Sequence, residues 1–115
     1  MAVDPVRDVI VGGAGDRVFG CARAYADALA REHPEREVHY LPQGRRRHLL
    51  ALLRRGDPLN LIGHSWGAAD VSWAARRSAK PFGCIIGIDP VGKPGRWRPE
   101  TVKAQTIVSV RGTGS

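Results

Sequence analysis

The chain has 115 residues, 43% of them hydrophobic and 25% charged, with a formal net charge of +7. That length fits one domain around a single small core, and the composition excludes disordered and fibrous classes. No apolar run approaches the roughly 20 residues that span a bilayer, and the N-terminal MAVDPVRD lacks the basic-then-apolar order of a secretory signal, so a cytoplasmic location is expected.

Strand one is expected over Asp8–Gly12 (DVIVG), a β-branched run broken by Gly12-Gly13-Ala14-Gly15. Asp16 is placed to cap a helix in which Phe19, Ala22, Ala26 and Leu29 recur at helical spacing, and Pro34 ends that helix near His33. Strand two is Glu37–Leu41 (EVHYL), where Val38 and Tyr40 alternate with polar neighbours. Pro42-Gln43-Gly44 turns the chain into a helix from Arg45 to Arg55, with Leu49, Leu50, Leu52 and Leu53 on its apolar side and Gly56 as its stop. Strand three is Leu59–Ile62, followed by a helix from Trp66 to Ala79 that Pro81 ends. Strand four is Cys84–Ile88 (CIIGI). Asp89–Lys103, with Pro90, Pro94 and Pro99, reads as mostly loop, and strand five is Thr106–Val110 (TIVSV). Cys21 and Cys84 read as two reduced thiols.

Strands three and four are nearly all apolar, the mark of strands covered on both faces. Alternating strands and helices predict a three-layer, doubly wound α/β fold with a mostly parallel five-stranded sheet in the order 2-1-3-4-5. Winding reverses between strands one and three, and ligands bind beyond the carboxyl ends of the strands at such a point. The loops Gly12–Asp16 and Gly63–Gly67 are expected to meet there.

Gly63-His64-Ser65-Trp66-Gly67 fits the pattern G-x-S-x-G. Such a serine sits on a strained turn between strand and helix, its hydroxyl clear of the sheet. Side chains two residues to either side would clash in that turn, which accounts for both glycines. The following helix points its positive end at the serine, and the Trp66 N–H is placed to donate to an oxyanion.

Leu59–Ala69 (LNLIGHSWGAA) resembles the nucleophile elbow of lipases and esterases of the α/β-hydrolase family. Val9–Asp16 (VIVGGAGD) resembles that family's oxyanion-loop strand, and Ile85–Gly92 (IIGIDPVG) is similar to the strand after the elbow in lipases. The resemblance spans residues 8 to 111 as the middle five strands of the family's sheet, so the chain is expected to be a single hydrolase-like domain lacking the C-terminal part of that fold. It implies a serine hydrolase acting on a small-molecule or lipid carboxylic ester through an acyl-enzyme on Ser65, with no cofactor and no metal. It further implies Asp89 as the acid, Trp66 with Gly13 or Ala14 as oxyanion donors, and Gly63, His64 and Gly67 as the frame of the elbow.

The family's chain order is serine, acid, histidine, yet none of the four histidines, His33, His39, His48 and His64, follows Ser65. His64 is expected to pack beside the turn in a supporting role, His48 starts a helix inside a basic run, and no catalytic histidine is identifiable in this chain. A serine hydroxyl with no base to take its proton is a weak nucleophile. The alternative is a non-catalytic or truncated hydrolase-like binding module that turns a basic surface, Arg45–Arg47, toward an anionic partner such as a membrane surface. Arg54 and Arg55 lie on the same helix, and Arg76, Arg77 and Lys80 form a second basic group. No aromatic side chains interleave with these charges, so nucleic acid is not an expected partner.

Overall fold

The structure, a computed structural model, describes residues 6–13, 20–55, 59–77, 82–88 and 104–110. Strands β1 (Arg7–Val11), β2 (Glu37–Leu41), β3 (Leu59–His64), β4 (Phe82–Ile88) and β5 (Ala104–Val110) form one sheet in the order β2-β1-β3-β4-β5. Every pairing is parallel. The described helices are α1 (Cys21–Glu32), α2 (Arg46–Leu53) and α3 (Trp66–Ala75). The α/β class and the strand order are those read from the sequence.

Alternate side chains of each strand point to opposite faces. Val9, Val11, Leu59, Leu61 and Ile85 face α2 and α3, where Leu49, Leu52, Leu53, Val71, Ala74 and Ala75 close a continuous buried cluster. Ile10 and Ile62 face α1, which contributes only the small Ala22 and Ala26 to the buried set, with Leu29 beside them. Helix α3 is buried almost all round, and its glycine and alanines let it lie close against the sheet.

Element ends differ from the expected ones for local reasons. β3 runs on past Ile62 because Gly63 and His64 still pair, with Gly87 and Ile88 of β4; apolarity ends at Ile62, but the ladder does not. Arg45 and Arg54 are caps rather than members of α2. α3 closes at Ala75, short of Ala79. The chain enters α1 through Gly20 at φ 65°, a conformation that glycine adopts without a Cβ penalty. The expected cap Asp16 and the loop Asp89–Lys103 lie outside the described residues. Cys84 is a free thiol, and burial raises its pKa.

At the amino end of the sheet, buried Asp8 accepts hydrogen bonds from Asn60 (3.0 Å) and Arg36 (3.3 Å). Buried Arg7 donates to the Leu52 carbonyl at 2.7 Å, tying β1 to α2. Polar groups withdrawn from water need such partners. This end is satisfied internally; the carboxyl end of the strands is where the site lies.

Candidate functional site

Ser65 joins β3 to α3 at φ 58°, ψ −120°, and is the one non-glycine residue with positive φ among those described. A side chain held there costs on the order of 1–3 kcal/mol, so neighbouring contacts must enforce it. The Ser65 N–H donates to the Ile88 carbonyl at 2.8 Å, and the Ser65 carbonyl accepts from the Ala68 N–H at 3.1 Å. Its hydroxyl makes no capping bond to α3.

Three glycines make the turn possible. A Cβ on Gly63 would lie 2.5 Å from the Ala68 Cα. One on Gly67 would strike the Val11 carbonyl oxygen and come within 2.8 Å of that of Gly12. One on Gly13 would lie 2.7 Å from the Ser65 Cβ and 3.2 Å from its Oγ. The loop after β1 and the turn after β3 therefore touch through backbone, at the point where the winding of the sheet reverses.

Beside this contact, on the α1 face, is a cavity of about 130 Å³ lined by Ile10, Ala22, Tyr25, Ile62, His64 and Ile88. An apolar cavity of about 150 Å³ is large enough for a benzene-sized group. Tyr25 is 47% exposed and stands at the edge of the lining. His64 contributes to the wall, and its buried Nδ1 has no hydrogen-bond partner. The lining is otherwise aliphatic and aromatic.

Of the residues expected at the site, Ser65 and Gly13 come together, Gly63 and Gly67 hold the turn, and His64 lines the cavity. Trp66 is the first residue of α3 and is 39% exposed. Ala14 and Asp89 lie outside the described residues. No histidine hydrogen-bonds Ser65: His33 meets Glu35 at 3.3 Å, His39 meets Glu37 at 2.9 Å, and His48 is exposed on α2. Among the described residues no group of three or more His, Cys, Asp or Glu side chains is arranged to hold a metal ion, and no helix is long and apolar enough to cross a membrane.

The cavity wall and Asp70 were not singled out by sequence. Ile10, Ile62 and Ile88 carry the same pattern as core residues, and periodicity does not tell a wall from a filled interior. Asp70 left a signal, as the single acid in the small-residue run GAADVSWAA. It is buried on α3, where its carboxylate accepts from the Gly44 N–H at 2.7 Å and from Arg46 Nε at 2.9 Å.

No protein-family model matches the chain, and no curated protein matches it. Among solved structures it is similar to the fatty acid ABC transporter substrate-binding protein from Thermomonospora curvata. The TM-score is 0.51 at 22% identity, covering 85% of this chain and 26% of that one. The chain thus spans about a quarter of that protein's length, and the likeness is one of fold.

That finding corrects the assignment to the α/β-hydrolase family. A similar fold occurs in a protein described as substrate-binding, and no family model supports the elbow motif. The expected serine hydrolase, its ester hydrolysis through a Ser65 acyl-enzyme, and the lipase and esterase descriptions are withdrawn with it. The physical reason lies at Ser65. The turn has the expected strain, but no described base is bonded to the hydroxyl, and an unassisted serine is a poor nucleophile.

Proposed function

We propose that this chain is a non-catalytic binding module for a small amphiphile with an apolar tail, seated at the crevice between β1 and β3. The carrying observation is the cavity beside the Ser65 turn: apolar walls, and a place at the carboxyl ends of the strands where winding reverses. The tail occupies the space between Ile10, Ile62 and Ile88. The Ser65 hydroxyl and the N–H groups of Gly13 and Trp66 receive the oxygen atoms of the head, because α3 turns its positive end toward them. A fatty acid joins an apolar tail, the first part of which fits a cavity of this size, to an oxygen-bearing head, and the description of the structural neighbour as a fatty acid transporter component supports the choice.

Calorimetric titration with decanoate tests the reading. Saturable binding is expected, lost by tenfold or more in Ile62→Trp, which fills the cavity, and weakened in Tyr25→Ala, where an exposed side chain is removed without threat to the core. Absence of decanoate binding to the folded chain overturns the ligand class. Covalent labelling of Ser65 by a fluorophosphonate would overturn the non-catalytic part.

A further inference from the structure

The cations of the α2 segment divide into two sets. Arg46 turns inward to Asp70, and Arg55 pairs with Glu37 at 2.8 and 3.1 Å. Arg45, Arg47 and Arg54 are exposed and make no ion pair among the described residues, and His48 is exposed beside them. Arg47, Ala51 and Arg54 follow at helical spacing, so they share one outward stripe. No acidic residue lies in α2 to offset them.

The positive face continues beyond the end of α3. Arg77 is exposed, lies 4.0 Å from the centre of the Trp73 ring, and donates to the Trp73 carbonyl at 2.9 Å. Arg46 lies 4.6 Å from the centre of the same ring. A guanidinium held on an aromatic ring gives up less freedom when it binds an anion. Its remaining N–H groups match the paired oxygens of a phosphate.

We propose that this α2–α3 face docks on an anionic phospholipid bilayer, with Arg45, Arg47, Arg54 and Arg77 meeting headgroup phosphates. The inference does not depend on the ligand at the Ser65 turn. Charge complementarity carries it, and the composition of the face selects the occupant. The exposed large hydrophobic residues described are Tyr25 on α1 and Trp66, which opens α3 at the end opposite Arg77, so the arginine patch itself lacks the aromatic anchor of a protein interface. Trp73 is already covered by guanidinium groups, which removes a stacking platform for bases. A helix of eight residues offers a short patch. Lipid headgroups can gather laterally beneath such a patch, whereas a duplex fixes its phosphate spacing.

Sedimentation of the full chain with phosphatidylcholine vesicles, with and without phosphatidylglycerol, tests the proposal across a salt series. Binding is expected only with phosphatidylglycerol and is expected to fall steeply as salt rises. Arg47→Ala with Arg54→Ala removes two exposed charges and is expected to weaken binding about 25-fold, about fivefold per cation. The control, Arg23→Ala with Arg31→Ala, removes equal charge from exposed sites on α1 and is expected to change binding by less than about threefold. Circular dichroism checks that each variant is folded. Failure to bind phosphatidylglycerol vesicles at low salt, an equal loss in the control, or tighter binding to duplex DNA than to vesicles would each overturn the proposal.

Discussion

The two faces of the sheet are filled to different degrees. Under α2 and α3, twelve described residues form one buried cluster, whereas under α1 the buried set is Ile10, Ala22, Ala26 and Ile62. Leucines reach down from α2, and α3 is made of small residues that let it settle close to the strands. On the other face α1 offers alanines where a filled core would need leucines, and the cavity remains between it and the sheet. Among the described residues one face is closed and supports the fold, and the other borders the cavity. The Ser65 turn lies at the edge where the two meet.

Core deletion should separate the faces first. Leu61→Ala, on the closed face, is expected to destabilise by about 4 kcal/mol, against about 2 kcal/mol for Ile62→Ala, which already borders empty space and has fewer contacts to lose. Urea unfolding of the pair measures the difference, and equal losses would mean that the faces are equally packed. Gly63→Ala comes next, at about 3 kcal/mol, because its Cβ meets the backbone of α3 rather than a side chain that can move. Thermal unfolding reads this loss, and a neutral substitution would show that the turn relaxes freely.

Ser65→Gly should act in the opposite direction. Glycine relieves the strain at φ 58° but loses more freedom on folding, so a net gain of about 1 kcal/mol is expected, with weaker decanoate binding. A loss of stability there would place the strain elsewhere.

The smallest effect lies at the β2 edge. The Arg55 guanidinium, and then His39, hydrogen-bond Glu37 and pull its pKa down from 4.5 to about 2. A depressed carboxylate stabilises the fold above its unfolded pKa, and this contribution is lost as pH falls from about 4.5 through about 2. Carboxyl NMR titration should find Glu37 charged throughout the upper part of that window. Arg55→Ala should raise its midpoint, and an unchanged midpoint would remove Arg55 as the main cause.

Much of this was legible in the residues themselves. β2 was expected over Glu37–Leu41, where it is found, because alternation and flanking turn residues agree. The meeting of the loops near Gly13 and Ser65 followed from strand order. The end of β3 was not legible, because a ladder is set by its partner strand and Gly63-His64 carries no apolar signal. The division of the arginines was also hidden. Arg45, Arg46 and Arg47 read alike in sequence, and only the packing of α2 on α3 sends Arg46 to Asp70. The motif at Ser65 predicted a strained turn correctly, but function depends on groups that a turn does not specify, and a fold can host more than one activity.

The central claim is that a ligand enters under α1 beside the Ser65 turn. Backbone amide NMR during a decanoate titration tests it most directly. Saturable shifts concentrated at Ile10, Gly13, Ile62, His64, Trp66 and Ile88 are expected, with Leu49 and Leu52 unmoved. Shifts centred on the α2–α3 core, or none at saturating ligand, would contradict the account.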